Sequence, residues 1–154
     1  MAVLAGGVVT VLLQVGAPAA ADPEPATDPY PKLRYFTKID AGPYRADDGR
    51  YWFDTAQGLT CGIWFRGSFG CTGDIPGAPP NVRQIGWING DTRVHYDWTM
   101  AVRFPQPRAS LGIPPLNYIE SDGTACGTTV DGSTYCERGP WRMLITPDHT
   151  WLNG

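Results

Sequence analysis

Cys61-Gly62-Ile63-Trp64-Phe65-Arg66-Gly67-Ser68-Phe69-Gly70-Cys71 decides the fold, because the chain repeats its pattern. Cys126-Gly127-Thr128-Thr129-Val130-Asp131-Gly132-Ser133-Thr134-Tyr135-Cys136 has the same order: Cys-Gly, four residues, Gly-Ser, two residues, Cys. Each shared position recurs 65 residues later, and the two copies use all four cysteines. Cys126 and Cys136 are centred on Asp131, so Val130-Asp131-Gly132 reads as a three-residue hairpin loop flanked by Thr129 and Ser133. Such loops combine a type I turn with a left-handed third residue, a slot that Gly132 fills without steric cost. Phe65-Arg66-Gly67, flanked by Trp64 and Ser68, is the same loop in the first copy. If the closing pair is hydrogen-bonded, alternation outward puts each cysteine pair at a non-hydrogen-bonded site, where Cα atoms come closest. Of the three connectivities open to four cysteines, this predicts Cys61–Cys71 and Cys126–Cys136. The rival is a zinc site with all four as ligands, but paired zinc ligands favour shorter spacings.

The N-terminus fits an oxidising destination. Residues 1–21 carry no charge, and the apolar run around Val8–Leu13 ends in Ala19-Ala20-Ala21 before Asp22. This reads as a signal peptide over 1–21, cleaved after Ala21. It lacks a basic start, since the first Lys or Arg is Lys32. The alternative is a retained N-terminal anchor, against which the shortness of the apolar run speaks. Residues 22–33 form a Pro-rich, acidic leader, expected to stay extended and unpacked. A single domain over 34–154 follows.

That domain reads as all-β. The chain holds 19 Gly and 15 Pro, and no long window after residue 21 keeps a helical period. Short strands are expected at Tyr51–Phe53, Arg83–Ile88, Thr92–Tyr96, Met100–Phe104, Leu116–Ile119, Arg142–Thr146 and Thr150–Leu152, besides the two hairpins. Asn89-Gly90 is the strongest short-range turn signal. The architecture is a sandwich or barrel-like arrangement of roughly eight to ten short antiparallel strands. Upstream of the cysteines the same offset matches Phe53 with Tyr118 and Gly58 with Gly123, so 51–71 and 116–136 read as two copies of one unit that pack as related halves.

Phe53-Asp54-Thr55, Gly58, Cys61-Gly62, Gly67, Cys71 and Ile75-Pro76-Gly77-Ala78-Pro79 resemble a group of small exported actinobacterial, mainly mycobacterial, proteins with two Cys-Gly disulfide hairpins. Cys126-Gly127, Asp131-Gly132, Cys136 and the apolar strand Met143-Leu144-Ile145 are similar to their second hairpin. The resemblance covers about 50–152 and implies export, two disulfides and one small β domain, with no activity attached. Members often carry a His-Gly-aromatic step where this chain has Gly139-Pro140-Trp141, so that histidine's role does not carry over.

Chemistry is sparse. The net charge of −3 and a pI near 5.2 make nucleic acid an unsuitable partner. Ser68 or Ser133 with His149 could form a catalytic set, but both serines sit beside hairpin loops and no nucleophile elbow occurs. His95 reads as a strand-face residue. Asp40, Asp54, Asp97 and Glu120 are candidate carboxylates for glycoside hydrolysis, whose separation a sequence does not show. Asp47-Asp48-Gly49 and Asn89-Gly90-Asp91 read as turns, not calcium loops. No metal or cofactor is expected. Of six tryptophans most should be core. Trp64 is the exception: with Phe65 and Arg66 it stands at a hairpin tip, an aromatic–aromatic–Arg contact surface. The expected function is a secreted, monomeric, non-enzymatic β domain binding a cell-envelope or extracellular ligand. The alternative is a small extracellular hydrolase using carboxylates or His149.

Overall fold

The computed structural model describes residues 27–95 and 111–153. The expected signal peptide, the strand at Met100–Phe104, Tyr96, Asp97 and Trp98 lie outside the described residues. Among the described residues the fold is all-β, with no α-helix and three single-turn 3₁₀ segments at Leu33–Tyr35, Gly42–Tyr44 and Phe65–Gly67. No helix among them is long and apolar enough to cross a membrane.

The first sheet is an antiparallel meander of β2 (Tyr51–Asp54), β3 (Thr60–Trp64), β4 (Ser68–Thr72) and β5 (Gln84–Trp87). The second runs β1 (Thr37–Lys38), β6 (Asn117–Ser121), β7 (Thr124–Thr128), β8 (Thr134–Arg138), β9 (Trp141–Ile145) and β10 (Thr150–Asn153). Its pairings are antiparallel except β1, which runs parallel to β6. After β5 the Asn89-Gly90 turn returns the chain to a single bridge between Gly86 and His95.

Both disulfides form as the spacing predicts, Cys61–Cys71 and Cys126–Cys136, which removes the zinc alternative. Their Cα separations are 4.0 and 4.1 Å, the short spacing of directly opposed non-hydrogen-bonded pairs. Each bridge lies mid-row on the inner face of its sheet. Phe53, Cys61, Cys71 and Ile85 are opposed in register in one sheet, and Ile119, Cys126, Cys136 and Met143 in the other. All eight are buried and belong to one apolar cluster drawn from both sheets. Burying a flanking side chain such as Phe53 or Ile119 contributes about 1.5–3 kcal/mol.

These rows also correct the upstream match. Phe53 pairs with Cys61, but it is Ile119, not Tyr118, that pairs with Cys126. Tyr118 opposes Gly127 as Trp52 opposes Gly62. The one-residue slip arises from the turns before the cysteines. The Asp54–Thr60 pair closes a loop over Thr55–Leu59, whereas Ser121–Thr124 closes on Asp122-Gly123 alone. Sequence offset counts residues, while a ladder counts pairs.

The two units dock reciprocally. Thr124 Oγ1 donates to the carbonyl of Gly67, so the first hairpin tip sits on the β6–β7 turn of the second unit. Gln57 Nε2 donates to the carbonyl of Gly132 at 2.8 Å, so the second tip sits on the β2–β3 loop of the first. At Gly67 a Cβ would stand 2.6 Å from the Asp122 carbonyl oxygen, an approach that only glycine allows.

On the outer face of the first sheet, Trp52, Gly62, Gly70 and Gly86 form one row. A Cβ at Gly62 would lie 2.1 Å from Trp52 Cε3, so the indole occupies the space that glycine leaves. On the outer face of the second sheet, Tyr30 packs on Tyr135 with ring centroids 6.0 Å apart, and Asp28 pairs with Arg142 at 3.1 Å. The described part of the Pro-rich leader, expected to stay unpacked through residue 33, is therefore held on the sheet at Asp28 and Tyr30. An aromatic ring with a sheet residue to cover gains burial that a Pro-rich composition does not announce.

Candidate functional site

Three segments distant in sequence converge beside the first hairpin tip and enclose an open cleft of about 450 Å³. The first is the turn into β2. Gly49 has φ +82°, and Asp48 Oδ1 accepts from the Arg50 N–H at 3.1 Å. The Arg50 guanidinium folds back onto Asp48 at 3.3 Å. Asp47-Asp48-Gly49 is thus a turn, as expected, with an ion pair across it.

The tip itself is the second segment. Its turn differs from the expected one, because Arg66 as well as Gly67 is left-handed, at φ 54° and 74°. The Ser68 N–H donates to Phe65 O, and so does the Ser68 hydroxyl, at 2.9 Å. Ser68 Oγ in turn accepts from the Asn89 N–H at 2.9 Å, tying the tip to the β5 turn. At the second tip only Gly132 among 130–132 has positive φ, and its N–H donates to Thr129 O, the type I turn plus left-handed glycine that the spacing predicts.

The third segment is the β6–β7 turn, Ser121-Asp122. Asp122 is also left-handed, at φ 50°, and its carbonyl accepts from Arg138 Nη1. Arg138 further stands 5.5 Å from the Trp87 ring centroid. A left-handed residue other than glycine costs about 1–2 kcal/mol. Two of the four such residues among those described, Arg66 and Asp122, line this one cleft.

The predicted contact surface is only partly exposed. Phe65 is 67% exposed, and Arg66 lies over its ring at 5.0 Å from the centroid. Trp64 is 6% exposed, which corrects the expectation that it projects with its neighbours. Trp64 lies two residues after Gly62 on β3, hence on the same outer face as Trp52. The two indoles stack with centroids 5.6 Å apart and planes 21° apart. Burying and stacking the two rings outweighs any gain from projecting one of them into water. Trp52 and Trp87 are core as expected, while Trp141 is half-buried against Trp87 and Trp151 is exposed.

Among the described residues the catalytic candidates do not assemble. Ser68 is buried and engaged as above, and Ser133 is buried. His149 is exposed and packs edge-on against Trp151, centroids 4.5 Å apart. His95 pairs with Asp91 at 3.3 Å. Asp40 Oδ1 accepts from the Gly42 N–H, Asp54 from the Thr60 hydroxyl, and Glu120 from Lys38 Nζ at 2.9 Å. Among the described residues no group of three His, Cys, Asp or Glu is placed to hold a metal.

The structure adds one pair that sequence reasoning missed. Glu120 and Glu137 both oppose Ala125, and together they line a shallow depression of about 240 Å³ with Arg34 and Tyr118. The Tyr135 hydroxyl donates to Glu137 at 2.5 Å, and burial, then this bond, pushes that phenol far above its ordinary pKa. The signal was in the alternation: both glutamates sit one residue from an inward position. The cleft residues Asp48, Arg50, Ser121 and Asp122 carried no such signal, because turns far apart in sequence supply them.

No family model matches the chain, and no match was found among curated proteins or solved structures. The likeness to exported actinobacterial proteins therefore rests on the sequence motifs alone. Two disulfides in a chain of this size fit an extracellular or envelope setting.

Proposed function

We propose that the chain is a secreted, non-enzymatic β domain that binds a ligand at the cell envelope or outside the cell, through the cleft at its first hairpin tip. One observation carries this reading: a cleft of ligand size whose rim holds an exposed aromatic ring, Phe65, capped by Arg66. Small-ligand sites run to roughly 300–1,000 Å³, and exposed aromatic and Arg side chains are the groups that most often dominate binding energy. Leaving the Phe65 ring in water costs free energy that a bound ligand recovers. Membership of the exported actinobacterial group, signal cleavage after Ala21 and a monomeric state belong to the same reading.

The test is capture of the domain on cell-envelope fractions. Phe65→Ala with Arg66→Ala should abolish capture and leave the melting temperature within a few degrees. Undiminished capture by that variant would overturn the proposal.

A second reading follows from the Glu120–Glu137 pair. Residues opposed across one intervening strand stand about 9.6 Å apart at the backbone, a separation at which two glutamates released from their present partners can reach the carboxyl spacing of an inverting glycosidase. Glu120 is bound to Lys38 and Glu137 to Tyr135, and the depression is small for a substrate site. Hydrolysis of a glycan by the purified domain, lost in Glu137→Gln, would favour it over binding alone.

A further inference from the structure

We infer that the ligand of the first-tip cleft is a neutral saccharide, an inference that rests on the binding reading above and names its ligand class. The lining carries two acids, Asp48 and Asp122, and two arginines, Arg50 and Arg66, so its formal charge is zero. Arg50 is already paired with Asp48 at 3.3 Å, and Arg66, which keeps its charge on the face of Phe65, is balanced in the sum by Asp122, so the lining as a whole offers an anion no net positive charge. A wholly apolar ligand fits no better, because covering these four groups would strip their water and return no hydrogen bonds.

A pyranose ring meets both halves of the lining. Its C–H face is apolar and lies flat on an aromatic ring such as Phe65. Its rim is a row of hydroxyls, each both donor and acceptor. Asp48 and Asp122 accept from such hydroxyls, Arg50 and Arg66 donate to them, and the Ser121 hydroxyl does either. A charge-neutral ligand leaves the Asp48–Arg50 pair intact and bridges it.

An extended peptide is the competing neutral ligand, and the backbone around the cleft disfavours it. Peptide capture by strand addition needs a free sheet edge. The outer edge of β2 is already used at both ends, by a bridge from Arg45 to Tyr51 and by another from Gly112 to Asp54. What the cleft offers is side-chain heads and a ring, which is how polyhydroxyl ligands are read.

The experiment titrates the full chain with neutral gluco-, manno- and galacto-oligosaccharides and follows backbone amide signals by NMR. At least one series should give saturable shifts at Phe65, Arg66 and Ser121. Phe65→Ala should weaken that binding by about tenfold or more, as removal of an aromatic anchor does. Raising salt from roughly 0.05 to 0.5 M should leave the affinity unchanged, since no net charge is neutralised. No shift with any neutral series would overturn the inference. So would binding confined to an anionic polysaccharide and lost in salt, or binding confined to peptides. Envelope capture separates this failure from failure of the cleft itself. Capture lost in Phe65→Ala but indifferent to periodate oxidation of the fraction overturns the saccharide and leaves the cleft standing. Capture that survives Phe65→Ala overturns both.

Discussion

Behind the two hairpin tips the strands agree row for row: Phe53–Cys61–Cys71–Ile85 on one side, Ile119–Cys126–Cys136–Met143 on the other. At the tips they part. Arg66 is left-handed and its counterpart Asp131 is not; Phe65 is exposed beside a cleft, and its counterpart Val130 is exposed at a turn closed by Asp131 and Thr129. The likeness of the two copies ends where packing between the sheets ends. Inside the sheets a duplicated unit must meet its twin and keeps its pattern. At the tips each copy meets the other unit's β-turn on one side and solvent on the other, and is free to diverge.

Trp64 offers the strongest way to break this comparison. Its counterpart is Thr129, which only bonds within its own loop. Trp64→Ala should cost about 3–5 kcal/mol in urea unfolding, as removal of a buried tryptophan does. Thr129→Ala should cost about 1 kcal/mol. Equal losses would mean that Trp64 packs no better than a loop residue.

The disulfides come next. Each closes a loop of the same sequence separation, 10, and each is fully buried. Replacing either pair by alanines should destabilise by about 2–3 kcal/mol, the same for both. A much larger loss for one pair would show that the halves are not energetically equivalent.

Arg66→Gly should raise stability by about 0.5–1 kcal/mol, because glycine releases the left-handed penalty and returns part of it as unfolded-state entropy. Asp131→Gly should give no gain, since Asp131 is not left-handed. A loss on Arg66→Gly would mean that the Arg66–Phe65 contact outweighs the strain.

The smallest effect is a pH dependence of the second tip. The Thr129 hydroxyl, and then the Ser133 N–H, bond to the Asp131 carboxylate and hold its pKa below the usual range, against slight desolvation. A carboxylate with a depressed folded pKa stabilises the fold above its unfolded value near 3.9 and loses that contribution as pH falls through the folded value. Thermal melts below about pH 4 should therefore show a steeper acid loss for the natural chain than for Asp131→Asn. Parallel acid curves would remove Asp131 from the account of the second tip.

Much of this was legible in the residues. The spacing between paired cysteines, with Gly67 and Gly132 at the third loop position, is enough to predict both pairings and the register within each hairpin. The all-β class followed from turn residues and the lack of helical period. Less legible was which side of β3 was buried. Trp64 shares a face with Gly62 by simple alternation, but only Trp52 on the neighbouring strand shows that this outer face is packed. The 65-residue offset runs one residue out of step with the ladder upstream of the cysteines, since the loop Thr55–Leu59 is longer than the turn Asp122-Gly123 and a sequence offset cannot register that.

The two disulfide hairpins are written in the residues alone, because a tight loop and a cross-strand bridge are local events set by a few residues. It takes the packing of the two sheets to dock each tip on the other unit's turn, to stack Trp64 inward while Phe65 stays out, and to bring Asp48, Arg50 and Asp122 to Arg66 around one cleft. Those outcomes depend on which surfaces the two sheets bring together, and burial is settled between segments that no local pattern connects.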